Sequence, residues 1–459
     1  MKKVAFVFAL CLSACASASA QNAEPPQSPA AEFQKTEATT EQGDAKAQCE
    51  LGVLHDEGRG VALAHAEAAH WYRKAAEQGN ADAQYRLGRL YECGAGVARD
   101  DAQAAVWYRK AADQGHVKAQ AYLGASYAVG QGVVQDYVQA VAWLRKAAEQ
   151  GDADAQCILG ELYAHGRGVA QDYAQAADWF RKAAAQGHAD AELNLGLLYS
   201  RGQGVARDDT EAVNWCRKAA DQGSGKAQYN LGAFYALGQG VAQDFAQAAN
   251  WYRKAAERGN ARGQNYIGAA YALGQGVVQD YVQAAVWLRK AAEQGDVDAQ
   301  FNLGSLYEEG NGVAQDPVQA AHWFRKAAEQ GDATAQSNLG ALYAVGKGVA
   351  EDYAQAADWF RKAAEQGDAF AEFHLGALYY KGLGVAKDDA QAAHWVRKAA
   401  DQGDADAQFV IGGLYERGEG VARDHAQAAG WYRKAASQGN AEARAALEKL
   451  ETGDRGAAK

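Results

Sequence analysis

Tryptophan falls at 71, 107, 143, 179, 215, 251, 287, 323, 359, 395 and 431, always 36 residues apart and nowhere else in the 459-residue chain. A period of that length marks a tandem array, in which each unit is one supersecondary element that buries its apolar face only against its neighbours. The spacing therefore sets the architecture before any single unit is read. The second unit, residues 80–115, shows how it is built. Asn80 is an N-cap, and Ala83, Leu87, Leu90 and Tyr91 lie on one face of a first helix. Gly94 ends that helix, Gly96 lies in the loop, and Val97 is an apolar loop residue tucked under the pair. Asp100 caps a second helix that buries Ala104, Trp107 and Ala111 and stops at Gly115. Four glycines recur in each unit, which explains most of the 51 in the chain as punctuation. The fourth, Gly88, stands mid-helix, where glycine costs about 1 kcal/mol relative to alanine, so it is expected to permit close helix approach.

The pattern A-x-x-L-G-x-L-Y-x-x-G-x-G-V-x-x-D followed by A-x-x-W-x-R-K-A-A-x-Q-G resembles the Sel1-like repeats, relatives of the tetratricopeptide repeat, across residues 44–439. Ala98 and Val134 stand where members of that family commonly place proline. The resemblance implies an all-α, right-handed α-solenoid of eleven helix-turn-helix repeats, and the periodicity independently asks for stacked hairpins. Both ends are atypical, as solenoid ends are. In the first unit His55 replaces the usual tyrosine and Ala64 the capping aspartate. Residues 440–459 read as a C-terminal capping helix, AEARAALEKLE, and a frayed tail. Glu448 and Glu451 replace glycine and tyrosine there and give the stack a polar closing face.

Ahead of the array, residues 1–20 read as a signal peptide: Lys2 and Lys3 precede an apolar run, 4–12, too short to cross a bilayer. Leu12-Ser13-Ala14-Cys15 resembles a lipobox, with Cys15 the lipidated residue, while Ala18-Ser19-Ala20 offers an ordinary cleavage site. The expected location is the periplasmic side of the outer membrane as a lipoprotein, otherwise soluble in the periplasm or secreted. Ala16 after the cysteine, in that resemblance, implies the outer rather than the inner membrane. Residues 21–43, with Pro25, Pro26 and Pro29, read as a disordered tether. Contact with a membrane is expected only through the lipid. The formal net charge of −11 argues against a nucleic-acid partner.

No catalytic motif is present, neither G-x-S-x-G, S-x-x-K, H-E-x-x-H nor a P-loop. The ten histidines do not cluster at ligand spacing, so no metal or other cofactor is expected. The Arg-Lys pair of every unit, Arg73-Lys74 through Arg433-Lys434, reads as cations complementing a helix C-terminus, and nine of the eleven units place an acid four residues after the arginine, as Arg109 with Asp113. Cys49, Cys93, Cys157 and Cys216 do not form the regular pair of the cysteine-rich members of this family, to some of which penicillin-binding activity is attributed.

Comparison of the units with one another locates the variable residues. Positions 4, 8, 9, 11 and 12 of each unit barely change, whereas 3, 6, 7, 10, 13 and 14 vary and form a stripe opposite the core of the first helix. Position 6 supplies Tyr85, Tyr229, Phe301, Phe373 and Phe409, and position 7 supplies Tyr122, Tyr266, Asn194, Asn230, Asn302 and Asn338. Aromatic rings give contact area at low entropy cost, and an asparagine amide both donates to and accepts from a peptide backbone. The expected function is thus a non-catalytic scaffold that holds a protein or peptide partner in a concave groove. The alternatives are a module binding peptidoglycan or an exported polysaccharide, and a secreted β-lactam-hydrolysing enzyme for which no residue can be nominated.

Overall fold

The computed structural model describes residues 29–40 and 43–457, and the expected leader with Cys15 lies outside them. Among the described residues there are twenty-four helices and no strand. Each repeat folds as its punctuation dictates. In the second, the first helix is Ala81–Cys93, and Asn80 Oδ1 accepts the Ala83 N–H at 2.9 Å. It ends where Gly94 (φ +71°) and Ala95 both donate backbone N–H groups to the Leu90 carbonyl. The Asp100 N–H then closes the loop on the Tyr91 carbonyl at 2.9 Å, and its carboxylate caps the second helix, Asp101–Asp113, through the Gln103 N–H.

Two glycines fix how closely these hairpins pack. A Cβ on Gly88 would stand 2.7 Å from the Tyr108 ring, so its absence lets the two helices of a repeat meet there. A Cβ on Gly96, which also has φ +70°, would run into the His65 carbonyl of the preceding repeat. The helix-breaking residue expected to permit close approach does so. Around it lies an apolar seam of Leu87, Leu90, Ala104, Tyr108 and Ala111, shared with Ala75 and Ala76 of the repeat before.

The result is an all-α solenoid of eleven hairpins in two compact blocks, one ending at His188 and the next beginning at Ala189. Within both blocks each second helix packs against the first helix of the following repeat. The first helices of some neighbouring repeats also touch directly: Val117–Val129 with Ala153–His165 in the first block, and Gly225–Leu237 with Ala261–Leu273 in the second. Among the described residues no pair of second helices approaches to the same extent. The first helices therefore form the inner side of the local curvature.

Both ends depart from expectation. Within the segment expected to be a disordered tether, Pro29–Thr40 is a helix. The first repeat has no preceding second helix to cover it, and this segment does so: Phe33 meets the His55 ring edge-on at 5.6 Å, and Thr40 is buried. Proline is tolerated at its first position because that N–H would have no partner in the helix. At the other end the capping helix runs on through Ala441–Ala457, beyond the stretch expected to be helical. It buries Ala443 and Leu450, and Glu451 takes the role of the missing tyrosine by accepting from Arg433 at 3.0 Å.

Candidate interaction surface

Two recurring links between repeats must be separated from residues left over for binding. The first is a glutamine ladder. Gln84, buried at position 5, donates to the Ala76 carbonyl of the preceding repeat at 3.0 Å and accepts from Gln114 of its own repeat at 2.7 Å. The same pair of bonds recurs at Gln120, Gln156, Gln264, Gln300, Gln336 and Gln408. Nothing in the variable-face comparison pointed to this residue, although its presence in nearly every unit could have.

The second link corrects the expectation for the Arg-Lys pair. Arg325 does not pair with Glu329 four residues on; it donates to the Tyr343 hydroxyl of the next repeat at 2.6 Å, with the guanidinium 5.8 Å from the ring centre. Arg73 with Tyr91, Arg109 with Tyr127, Arg145 with Tyr163, Arg217 with Tyr235, Arg253 with Tyr271, Arg289 with Tyr307 and Arg361 with Tyr379 repeat it. The Lys lies over the Trp of its own helix, as Lys254 over Trp251 at 3.9 Å. The constant tyrosine thus staples one hairpin to the next, which a helix-dipole reading within a single unit could not reveal.

The variable stripe lies on the inner, first-helix side, and its aromatics are not simply exposed. Tyr229 packs 6.0 Å from the buried Tyr252 of its own second helix, and Tyr266 of the next repeat joins both at 5.4 and 5.1 Å. Phe301 meets Phe324 at 5.6 Å and Phe409 meets Tyr432 at 5.8 Å in the same way. In the first block Tyr85, Tyr108 and Tyr122 form an equivalent triad, with ring centres 5.4–6.1 Å apart. Position 6 is therefore half-buried and anchored on the second helix, while position 7 reaches further out: Tyr266 is 42% exposed. Burial raises the pKa of the Tyr229 phenol.

The asparagines are half-buried along the same side. Asn230 donates back to the Lys226 carbonyl at 2.8 Å, and Asn302 donates to Asn265 Oδ1 of the preceding repeat at 3.3 Å. Asn194 and Asn338 occupy the equivalent positions in their own repeats. Phe373 lies beside a cluster that the comparison of units did not pick out. His374 stacks on Phe360 of the preceding repeat at 5.4 Å and touches Phe370 at 4.1 Å, with Phe370 48% exposed. The signal was available, because Phe370 stands at position 3, where most units have a charged residue. Desolvation lowers the His374 pKa.

None of Cys49, Cys93, Cys157 and Cys216 is in a disulfide. Burial pushes Cys49, beside Asp82, and Cys216 up to about 12, so neither is a thiolate nucleophile near neutral pH. Among the described residues no three His, Cys, Asp or Glu side chains gather as metal ligands, and no helix is long and apolar enough to cross a membrane.

The Sel1 repeat family model matches eleven consecutive segments, from 45–80 through 405–440. Comparison with curated proteins gives no match. The chain is similar to the crystal structure of a protective antigen present in uropathogenic Escherichia coli strains, with 42% identity, 92% of this chain and 90% of that one covered, and a TM-score of 0.74. It is also similar to a Sel1 repeat protein from Oxalobacter formigenes, with 38% identity, 67% and 89% covered, and a TM-score of 0.51.

Proposed function

This chain belongs to the Sel1 repeat family, whose members generally serve as protein-interaction scaffolds, and from that premise we propose that it is a non-catalytic scaffold binding a peptide or protein partner along its first-helix face. One observation carries the reading. The residues that vary between repeats gather on the side where first helices meet, and there an exposed aromatic, Tyr266, is held in place by two more buried rings. Such a ring offers contact area already fixed in position, and half-buried amides beside it at Asn230 and Asn302 suit a peptide backbone. A sugar chain is the poorer ligand. Stacking on a pyranose needs an open ring face, and the rings of Tyr229, Phe301 and Phe409 are already engaged by Tyr252, Phe324 and Tyr432.

A photo-crosslinking residue at position 266, compared with one at the exposed Gln283 of a second helix, tests the assignment. Partner adducts should form in living cells from position 266 and not from position 283. Adducts from 283 alone would move the interface to the outer side.

We also propose an extracytoplasmic location for this chain. The leader reading places the scaffold outside the cytoplasm, anchored by a lipid on Cys15 at the periplasmic side of the outer membrane, and likeness to a protective antigen fits an exported protein. Cys15→Ala should abolish labelling by a clickable fatty acid and release the chain from membrane pellets. Unchanged labelling would refute the anchor.

A further inference from the structure

In the first block the inner face carries a cation, Arg89, for which no acid among the described residues serves as a direct ion-pair partner. Arg86 is answered by Asp82, whose carboxylate lies 2.8 Å away. Arg89, one turn on, is different. It is half-buried, and its polar contact is the Tyr85 hydroxyl at 3.5 Å, with its guanidinium 5.5 Å from the centre of the Tyr122 ring of the next repeat. The nearby Glu92 accepts instead from the Tyr108 hydroxyl at 2.7 Å. At this position the other units have Val53, Ala125, Glu161, Leu197, Ala233, Ala269, Ser305, Ala341, Ala377 and Gly413, so the arginine is particular to this place. In a chain with 57 acidic against 46 basic residues, a half-buried arginine without an acid is unusual.

We propose that Arg89, framed by Tyr85 and Tyr122, is a carboxylate-binding site for an acidic side chain or the C-terminus of the partner peptide. The site rests on the peptide-binding reading of the first-helix face and deepens it. The guanidinium is a planar fork of donors matched to a carboxylate, and the ring of Tyr122 holds it without using those donors. Tyr85 accepts from Arg89 and keeps its own hydroxyl proton to donate. That ring is fixed in turn by stacking on His116, with centres 4.8 Å apart. One cation with two phenols suits a singly charged planar anion better than a dianionic phosphate, which an acidic chain would repel.

Fluorescence anisotropy on the full chain tests this with three labelled decapeptide pools. One is uncharged with a free C-terminal acid, one is uncharged and amidated, and one is amidated with a single internal glutamate. Either or both carboxylate pools should bind about tenfold tighter than the uncharged amidated pool, and which one does so identifies the source of the carboxylate. Arg89→Gln should erase that preference and leave the uncharged pool's binding unchanged, while Arg89→Lys, which keeps the charge but not the fork, should retain part of it. Circular dichroism of both variants verifies the fold, and the lysine variant alone remains decisive if the glutamine variant does not fold. Full retention of the preference in either variant overturns the site. Equal binding of all three pools overturns it while leaving the peptide reading intact; no binding by any pool overturns both.

Discussion

Gln228 carries a buried side-chain oxygen with no hydrogen-bond partner, because Arg258 stands where the other repeats place the glutamine that would donate to it. Gln228 keeps the other half of its link, donating to the Ala220 carbonyl at 3.1 Å. The acceptor half of the ladder fails at this rung. A buried acceptor left without a donor costs about 1–3 kcal/mol.

Arg258→Gln should therefore stabilise the chain by about 1 kcal/mol, seen as a later midpoint in urea unfolding. Gln294→Arg, which recreates the defect against Gln264, should do the reverse. An unchanged midpoint in both variants would mean that the ladder adds no net stability.

The Arg–Tyr staple makes a second prediction. Arg325→Ala, Tyr343→Phe and the double variant form a cycle whose coupling energy should be about 0.5–1.5 kcal/mol, since one hydrogen bond and one cation–ring contact are shared. Additive losses would show that the two residues act independently.

Glycine at position 9 can be tested against its own helix propensity. Gly232→Ala would place a methyl 2.6 Å from the Tyr252 ring, and the overpacking should cost about 1–3 kcal/mol despite the better helix former. Gly430, in a second helix, has nothing within 4 Å of where a Cβ would lie, so Gly430→Ala should stabilise by about 0.5–1 kcal/mol. Thermal melts of the two variants should move in opposite directions.

These cases show what the sequence makes legible. The thirty-six-residue period, the caps at Asn80 and Asp100 and the mid-helix Gly88 could be read directly, because each is a local backbone requirement repeated many times. The partner of Arg325 could not, since Tyr343 belongs to the next hairpin and stacking alone brings them together. The same holds for Tyr229: comparing the units shows that its position varies, but only the packed second helix shows it resting on Tyr252. The helix Pro29–Thr40 was hidden because its composition is that of a tether, and its order comes from the uncovered side of the first repeat.

A pH dependence follows at Asp154. The hydrogen bond from His188 and the charge and hydrogen bond of Lys118, at 3.3 Å each, hold its carboxyl below the usual range, with burial working the other way. A depressed folded value means that this contribution is present above the unfolded value of about 3.9 and is lost as pH falls through the folded one. The wild-type chain should be more stable than Asp154→Asn at neutral pH, and the gap should close as the pH is lowered below about 4. Unfolding curves of both proteins across that range measure it. A gap independent of pH would assign the effect to packing instead of charge.

The two tyrosines of the inner face should separate stability from binding. Tyr229 is half-buried on Tyr252, so Tyr229→Ser removes a ring from a packed site and should cost about 2–3 kcal/mol. Phe301→Ser, against Phe324, should behave similarly. Tyr266 presents 42% of its surface to solvent, and Tyr266→Ser should cost no more than about 1 kcal/mol. If the first-helix face binds the partner, Tyr266→Ser should lose capture while melting close to wild type, whereas Tyr229→Ser should lower both. A Tyr266→Ser chain that melts as early as Tyr229→Ser would make the outer ring part of the core. One that folds normally and still captures its partner would take the interface away from this face.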